Sequence, residues 1–332
     1  MDWKQVMSSV EPFLESVSAR LAGQIGAFDP EISVYAEYAL TRQGKQLRPV
    51  LVALSGGATG KLEDSHVLAA VIIEMVHLAT LVHDDVIDEA VLRRGRPTVP
   101  ANWGNEVSVL LGDCFFAHAL ELAASFPTTE VCRAVSAATN RVCSGEILQT
   151  HRRRSFGGSQ EDYFKVLSMK TGELFALSCE LGCFLSGASA DQRVVLRHFG
   201  LTLGTAYQVY DDCLDIFGNE VAAGKSLGTD LAKGKLTLPL LLLWERSEAG
   251  ERRDLEALIR GWEAEAMPGL LLRLSGKEIL PRCQEVIHQQ LYKAAAAVQE
   301  LPTSRGRAGL MGLTRVLARQ ADALADPIPL AL

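Results

Sequence analysis

Hydrophobic residues recur with helical spacing along much of the chain, and a long interval without proline, between Pro127 and Pro239, holds several of these stretches. A proline inside a helix costs about 3 kcal/mol, so an interval without proline favours continuous helices. Alanine and leucine are plentiful, whereas alternating runs of valine, isoleucine and threonine are hard to find. No alternation of strands with helices indicates a parallel sheet. The pattern therefore predicts an all-α fold.

Short breaks that contain glycine, proline or small polar residues divide this helical pattern. None is long or biased enough in composition to act as a domain linker. The predicted breaks lie at residues 28–30, 56–60, 94–97, 126–129, 155–159, 224–234 and 267–269. We therefore expect a single helical domain over residues 1–332, in which residues 326–332, with two prolines, form a loose tail.

The composition is typical of a soluble globular protein, with 48% apolar and 22% charged residues. A net charge of −7 argues against nucleic acid as a partner, although a local group of lysines and arginines can still bind a small anion. The seven cysteines form no C-x-x-C pair, which favours reduced thiols in a cytoplasmic protein. The N-terminus lacks signal-peptide features, and the apolar stretch 236–244 is shorter than the roughly 18 residues that span a bilayer, so no transmembrane segment is expected.

Two acidic heptads, residues 82–88 and 209–215, share the pattern V-[His or aromatic]-D-D-x-[apolar]-D. Residues four apart lie on one face of a helix, so two pairs of carboxylates share a face: Asp84 with Asp88, and Asp211 with Asp215. Such clusters repel within an apolar helix unless a cation neutralises them. Mg²⁺ takes oxygen ligands and usually shares them with substrate phosphates. A solvated acidic face is the simpler interpretation of one such cluster, but apolar residues surround both heptads.

Lysine and arginine residues follow or precede both acidic heptads, where a diphosphate site needs them. Arginine binds phosphate by bidentate hydrogen bonds, and lysine acts as a point charge. Taken singly, each cation is more simply a solvated surface group. Together with the acidic heptads, they predict a magnesium-dependent enzyme with two anionic substrates. These cations are Lys45, Arg48, Arg93, Arg94, Lys170, Lys225 and Lys235.

In their order, these motifs resemble those of the trans-type isoprenyl diphosphate synthases, or polyprenyl synthetases, from about residue 43 to residue 239. The matching motifs are Gly44-Lys45-x-x-Arg48-Pro49, Glu74-x-x-His77, the first acidic heptad, Arg93-Arg94-Gly95, Gly145-Glu146-x-x-Gln149, Lys170-Thr171-Gly172, Gln208 with the second acidic heptad, and Gly224-Lys225 through Gly234-Lys235-x-Thr237-x-Pro239. The resemblance implies an isoprenoid-synthase-type helical bundle around a large central cavity. It also implies a homodimer that condenses isopentenyl diphosphate head to tail with an allylic diphosphate.

The resemblance further implies a role for each matching residue. Three Mg²⁺ ions would be held on the allylic diphosphate by Asp84, Asp88 and Asp211, supported by Asp85, Asp212 and Asp215. The same diphosphate would be bound by Arg93, Lys170, Lys225 and Lys235. Isopentenyl diphosphate would be bound by Gly44, Lys45, Arg48, His77 and Arg94. Thr171 and Gln208 would direct oxygen dipoles at the allylic carbocation. Gln43 departs from the family pattern, which often has glycine there.

Product length in this family is limited by bulky residues just before the first aspartate motif, and here Ala79 and Thr80 are small. We therefore expect a hexaprenyl to decaprenyl product of the kind used for quinone side chains. A short-chain farnesyl or geranylgeranyl synthase is the alternative. Phe115 or Phe116 could form a deeper floor of the tunnel, although aromatic core packing is the simpler interpretation. The enzyme could contact a membrane peripherally when it releases such a product.

A second class of function is open at this point. Glu74-x-x-His77 and Glu285-x-x-His288 are two E-x-x-H pairs, the pattern of di-iron carboxylate bundles. That hypothesis leaves both acidic heptads unexplained. A non-catalytic subunit of a heteromeric synthase is a further alternative, but such subunits usually lose the aspartates. The starter, the product length and the pathway cannot be settled from the sequence.

Overall fold

The structure, a computed structural model, describes residues 3–41, 44–156, 158–218 and 227–325. Lys225, Gln43 and the predicted tail, residues 326–332, lie outside the described residues. The predicted all-α fold is confirmed. The helices are α1 (Trp3–Gly23), α2 (Pro30–Leu40), α3 (Leu47–Thr59), α4 (Asp64–Ile87), α5 (Val99–Ala124), α6 (Thr129–His151), α7 (Gln160–Leu167), α8 (Glu173–Leu185), α9 (Ala190–Phe217), α10 (Thr229–Ala232), α11 (Leu238–Glu245), α12 (Ala249–Arg260), α13 (Met267–Gly276), α14 (Ile279–Gln299) and α15 (Arg305–Asp322).

Short elements of other kinds connect these helices. A π-helical turn, Ser168–Gly172, joins α7 to α8, and single 3₁₀ turns cover Gln24–Ala27, Ala264–Ala266 and Ala323–Ala325. Between α4 and α5, the strands β1 (Leu92–Arg93) and β2 (Arg96–Pro97) form a two-stranded antiparallel hairpin. This hairpin replaces the plain break that was predicted at residues 94–97.

The chain forms two compact units. The first unit comprises Met1–Asn140, Glu173–Leu201 and Ala295–Leu313. The second unit comprises Arg141–Gly172, Thr202–Ala294 and Thr314–Leu332. Each acidic heptad lies in one unit, the first heptad in the first unit and the second heptad in the second. The expected single domain stays a prediction.

The first unit is built around α4, which is apolar on several faces and carries fully buried side chains such as Ile72 and Ile73. It packs against α5, α3, α1 and α8. The start of α4 is fixed by His66, whose Nδ1 accepts from the Glu63 backbone N–H at 3.0 Å. The other ring nitrogen lies 3.1 Å from the carbonyl oxygen of Gly182, on α8. These contacts hold one end of α4, whose far end carries the first acidic heptad.

Close backbone contact brings α3 and α8 together. A Cβ atom at Gly182 would lie 2.4 Å from the carbonyl oxygen of Val52, so only glycine allows this approach. The break predicted at 56–60 begins too early. Helix α3 continues through the glycines at 56–57 and ends at Thr59. A side chain at Gly56 would meet Leu62 and His66, so this glycine serves packing inside the helix. The break predicted at 267–269 is also wrong, because α13 begins at Met267 with Pro268 in its first turn.

Two of the described helices are long and apolar enough to cross a membrane, α4 and α5. The sequence interpretation missed both because it considered the shorter stretch 236–244. Such helices are weak evidence for a membrane span, since the core helix of a soluble protein passes the same test. For α4 this explanation fits, because 67% of its apolar window is buried inside the protein. The corresponding value for α5 is 33%, so much of that helix is open.

Candidate active site

The first acidic heptad lies at the C-terminal end of α4. Asp88 is the C-cap residue, and its backbone N–H donates to the carbonyl oxygen of Asp84 at 2.8 Å. The partial negative charge of a helix C-terminus adds to that of the carboxylates and increases the demand for a cation. Asp85 is buried, and one of its oxygens accepts a 2.7 Å hydrogen bond from Nε of Arg93. Asp85 is therefore held by an arginine, while Asp84 and Asp88 lie on the neighbouring, partly exposed face.

The hairpin after α4 delivers the two predicted phosphate-binding arginines. Its tight turn places Arg94 at φ 53° and Gly95 at φ 72°, a conformation that suits the glycine. Arg93 turns back to Asp85, whereas the Arg94 guanidinium lies against Gly44. A Cβ at position 44 would stand 2.5 Å from Nη2 of Arg94, so a side chain there would displace this guanidinium. Gly44 and Arg94, assigned to the same substrate by sequence, are thus in contact.

His77 and Glu74 lie along α4 in the field of these arginines. Burial, together with the charges of Arg48, Arg94 and then Arg93, lowers the pKa of His77 well below its usual value. Burial raises the pKa of Glu74, against the opposing effect of Arg48 and Arg94. The His77 ring is therefore neutral at neutral pH. The positive charge of the cluster comes from the three arginines, and it suits a diphosphate. Glu74 was not predicted as a site residue. Its E-x-x-H motif with His77 was the sequence signal that could have identified it.

Arg48 also stacks on α8, with its guanidinium carbon 5.3 Å from the ring centre of Phe175. This stacking fixes the long side chain by cation–π attraction. Lys45, three residues earlier, is exposed. The structure therefore gathers Gly44, Arg48, His77 and Arg94 into one region of the first unit, and leaves Lys45 on its surface.

A cavity of about 200 Å³ opens beside the hairpin. Its lining combines apolar side chains with three arginines, one aspartate and one threonine. It is lined by Ala39, Thr41, Leu78, Leu81, Val82, Asp85, Arg93, Arg94, Arg96 and Val99. Such a lining suits an anion with a short apolar body. The large central cavity implied by the resemblance stays a prediction.

The predicted chain-length residues lie deeper in the first unit. Ala79 is fully buried, and the hydroxyl of Thr80 donates to the His77 carbonyl oxygen at 2.6 Å. Phe115 is also fully buried and meets Phe28 edge to face, with ring centres 5.7 Å apart. Phe116 lies 5.6 Å from His83 in the same way. Phe115 is therefore a core residue, in line with the simpler of its two interpretations.

The second acidic heptad ends α9 in the second unit. Asp212 is buried, and its two oxygens accept from Tyr163 Oη at 2.7 Å and from Gln208 Nε2 at 2.8 Å. Burial and the charges of Asp230 and Asp211 raise the pKa of Asp212 to about 8, opposed by those two hydrogen bonds. Burial and the neighbouring carboxylates thus oppose ionisation of Asp212, an effect that a nearby cation would offset.

Asp215 makes different contacts from those of Asp88 in the first heptad. Its carboxylate accepts from the Thr229 hydroxyl at 2.7 Å and from the Asp230 backbone N–H at 3.1 Å. These donors belong to the first turn of α10, so Asp215 caps that helix from outside. Lys235 comes next in the chain, with its Nζ 3.5 Å from an oxygen of Asp230.

The π turn carries Lys170 and Thr171, and π turns of this kind are frequent at functional sites. Lys170 Nζ donates to Gln149 Oε1 at 2.9 Å and forms an ion pair with Glu146, both on α6. Gly145 makes this possible, because a Cβ there would lie 2.8 Å from the backbone nitrogen of Lys170. The motif Gly145-Glu146-x-x-Gln149 therefore holds the side chain of Lys170 in place. The sequence interpretation did not predict this role for the motif.

Thr171 continues this cluster towards the second heptad. Its hydroxyl donates to Gln208 Oε1 at 2.8 Å. The second unit thus brings together Lys170, Thr171, Gln208 and the acidic heptad, as predicted. It adds Tyr163, which no sequence motif had indicated.

The donor sets of both heptads fit Mg²⁺. Each heptad presents carboxylate oxygens, which this ion prefers, on the end of a helix. Among the described residues, no group of three or more His, Cys, Asp or Glu side chains forms a ready-made metal cluster. That agrees with Mg²⁺ sites, which usually complete their shell with water and substrate phosphates. The assignment of Asp84, Asp88 and Asp211 as Mg²⁺ ligands stays a prediction.

Comparison with known proteins identifies the family. A family model described as polyprenyl synthetase matches residues 29–268. The chain belongs to the polyprenyl synthetase family. An octaprenyl diphosphate synthase from Haemophilus influenzae is 31% identical over 94% of this chain and 95% of its own length. These findings confirm the predicted family and its prenyl diphosphate synthase activity of the medium- to long-chain class.

Solved structures of polyprenyl synthetases have the same fold. A decaprenyl diphosphate synthase from Rhodobacter capsulatus gives a TM-score of 0.89 at 28% identity, covering 96% of this chain and 99% of its own. A polyprenyl synthase from Caulobacter crescentus, complexed with calcium and isoprenyl diphosphate, also gives 0.89, at 32% identity and covering 96% of this chain and 98% of its own. The all-α architecture is therefore that of this family.

The di-iron alternative fails on the second E-x-x-H pair. Glu285 is exposed, and His288 Nε2 lies 2.7 Å from an oxygen of Asp322 in a surface pair. Neither residue faces a buried carboxylate cluster of the kind such bundles need. Membership of the polyprenyl synthetase family accounts for the first pair, Glu74 and His77, as well.

Proposed function

We propose that this polyprenyl synthetase is a magnesium-dependent trans-prenyltransferase of the cytoplasm. It condenses isopentenyl diphosphate head to tail with an allylic diphosphate, and its product is hexaprenyl to decaprenyl diphosphate for quinone side chains. The observation that supports this most strongly is the pair of acidic heptads, each at a helix end and each accompanied by cations. A relative crystallised with calcium and isoprenyl diphosphate supports a divalent metal.

In this proposal, Asp84, Asp88 and Asp211 hold three Mg²⁺ ions, which supply positive charge to the leaving diphosphate. Asp85, Asp212 and Asp215 support them through the contacts described above. Arg93, Lys170, Lys225 and Lys235 bind the same diphosphate and stabilise the charge that develops on it. Glu146 and Gln149 hold the ammonium group of Lys170 in position for this task.

The second substrate is assigned to the arginine cluster of the first unit. Gly44, Lys45, Arg48, His77 and Arg94 bind isopentenyl diphosphate. The low pKa of His77 makes its ring a neutral hydrogen-bonding group until a diphosphate arrives. Thr171 and Gln208 direct oxygen dipoles at the allylic cation, where a nucleophile would trap it. The departing diphosphate takes the proton, so no side-chain base is required.

A product of six to ten prenyl units is supported by Ala79 and by the named relatives. Ala79, at the position where bulky residues limit product length in this family, is small and is fully buried on α4. The relatives include an octaprenyl and a decaprenyl diphosphate synthase. A farnesyl or geranylgeranyl product is the alternative that product analysis must separate.

A homodimer is supported by the surface of α5. Val109 and Leu110 on this helix are 41% and 64% exposed, and one third of its apolar window is buried. A second copy that covered this apolar face would remove it from water at a gain of about 25 cal/mol per Å². We expect no transmembrane span, and only peripheral membrane contact during product release.

The function is tested by incubating the protein with Mg²⁺, isopentenyl diphosphate and each of the dimethylallyl, geranyl, farnesyl and geranylgeranyl starters. We expect chain elongation to six to ten units with at least one starter. Asp84→Ala and Asp211→Ala should each abolish turnover, with helix content by circular dichroism unchanged. Glu285→Ala, an exposed acid, is the matched control and should keep full activity. No elongation with any starter, or full activity of either aspartate variant, would contradict the proposal.

A further inference from the structure

We propose that Tyr163 is a positioning residue for prenyl transfer, which acts through Asp212 to fix the orientation of the Gln208 amide and the Thr171 hydroxyl. The inference rests on the proposed function, in which Thr171 and Gln208 present oxygen dipoles to the allylic cation. It assigns a role to a buried tyrosine that no motif or family pattern had singled out.

Four side chains of the second unit form one continuous chain of hydrogen bonds. Tyr163 Oη donates to one oxygen of Asp212 at 2.7 Å, and Gln208 Nε2 donates to the other at 2.8 Å. Thr171 Oγ1 then donates to Gln208 Oε1 at 2.8 Å. The chain runs from α7 through α9 to the π turn, and each member has its partner at ordinary hydrogen-bond distance.

The direction of each bond follows from the chemistry of the groups. The Gln208 amide turns its NH₂ end to Asp212 and its oxygen to Thr171, so the facing oxygen of Asp212 accepts from the amide. The threonine has a single hydroxyl hydrogen, which is then committed to the glutamine oxygen. Its lone pairs therefore point away from the amide. If the amide turned over, Thr171 would accept from the NH₂ group and its hydrogen would be free to point elsewhere, with the dipole reversed.

Tyr163 is itself fixed by its surroundings, so its hydroxyl can hold the Asp212 carboxylate in one position. It is 9% exposed, and Asp212 is 4% exposed. The start of α7 is fixed by a capping box between Ser159 and Asp162. Arg152 reinforces this turn, since its Nη2 contacts the Asp162 carboxylate at 2.6 Å. A hydroxyl on such a support restrains the carboxylate in one rotamer, and through it the amide.

The competing explanation is that Tyr163 only packs the core. Its ring meets Phe164 edge to face at 5.2 Å, so a packing role is real. Phenylalanine would preserve that packing and remove only the hydroxyl. A packing residue would then leave catalysis unchanged, whereas a positioning residue would lower kcat without weakening substrate binding.

The experiment compares Tyr163→Phe, Thr171→Val and the double variant in steady-state assays with Mg²⁺ and both substrates. We expect Tyr163→Phe to lower kcat about tenfold, as for loss of a hydrogen bond to a charged group. The KM values for both substrates and the Mg²⁺ requirement should change less than about twofold. Tyr292→Phe, on an exposed ring, is the matched control and should behave as the wild type.

The double variant should lose less than the product of the two single effects, because part of the effect of Tyr163 passes through Thr171. Multiplying effects, or a normal kcat in Tyr163→Phe, would overturn the inference while the wild type stays active. An inactive wild type would instead overturn the proposed function, and this inference with it. If Tyr163→Phe did not fold, the same cycle with Tyr163→Met, which also lacks the hydroxyl, would decide, and multiplying effects would again overturn the positioning chain.

Discussion

Single residues in the two acidic heptads differ more than their shared pattern indicates. The sequence predicts correctly that each heptad belongs to a mostly apolar helix. It cannot predict that Asp88 caps its own helix while Asp215 caps another, α10. That difference depends on Thr229, which lies 14 residues further along the chain. Local periodicity carries no information about a partner at that distance.

Ala79 is the residue at which the proposed product length can be tested. Replacing it with tyrosine should shorten the main product, because the larger ring would block the space beside α4. Overpacking a buried site also costs about 1–3 kcal/mol, so the free energy of unfolding must be measured with product length. Radiolabelled isopentenyl diphosphate and chromatography of the dephosphorylated products give the chain length.

Ala70→Tyr is the matched control for Ala79→Tyr. Ala70 is also fully buried on α4, but nine residues earlier and hence on the opposite side of the helix. It should destabilise the protein to a similar extent and leave the chain length unchanged. If Ala79→Tyr gave the wild-type product, the tunnel assigned to this side of α4 would be wrong.

The sequence predicts which stretches of the chain form helices, but glycine residues are a poor guide to where those helices end. The interval without proline does hold long helices, α6, α8 and α9 among them. Gly56, however, lies inside α3, because packing against Leu62 and His66 outweighs its low helix propensity. Gly145 shows the same effect in α6, against the π turn. Tertiary contacts of this kind are invisible in a local pattern.

Gly145→Ala tests the contact between α6 and the π turn. In an isolated helix this change would stabilise by about 1 kcal/mol. Here the new Cβ would lie 2.8 Å from the Lys170 backbone nitrogen and 2.9 Å from Met169 Cβ. We therefore expect a loss of about 1–3 kcal/mol in the free energy of unfolding, measured with urea, and a lower kcat as Lys170 shifts.

Gly250→Ala in α12 is the control for this prediction. Nothing lies within 4 Å of a Cβ at that position, so the variant should be as stable as the wild type or slightly more stable. Equal stability of Gly145→Ala and Gly250→Ala would show that the π turn moves aside without cost, which would contradict the close packing described here.

For the whole molecule, the two histidines of α4 with lowered pKa values, His66 and His77, predict how stability depends on pH. Burial lowers the pKa of His66, and burial with three arginines lowers that of His77 further. Each ring therefore binds its proton more readily in the unfolded chain. Their contribution to stability is complete above the unfolded value of about 6.5 and is lost progressively as the pH falls below it.

We expect the free energy of unfolding to fall by up to about 1.4 kcal/mol per pH unit for each histidine below pH 6.5. Urea titrations between pH 7.5 and pH 5 measure this slope. His77→Asn should make the slope shallower. Identical slopes for this variant and the wild type would contradict the assignment of His77 as a neutral group.

The π turn changes how a helical repeat is counted along the chain. From Gln160 to Leu185 the backbone turns without interruption through α7, the π turn and α8. The wider turn accommodates one more residue than an α-helical turn. A repeat counted from Gln160 is therefore displaced by one residue once it has passed Ser168–Gly172. A uniform 3.6-residue period over the whole stretch would assign the later residues to the wrong positions of the repeat.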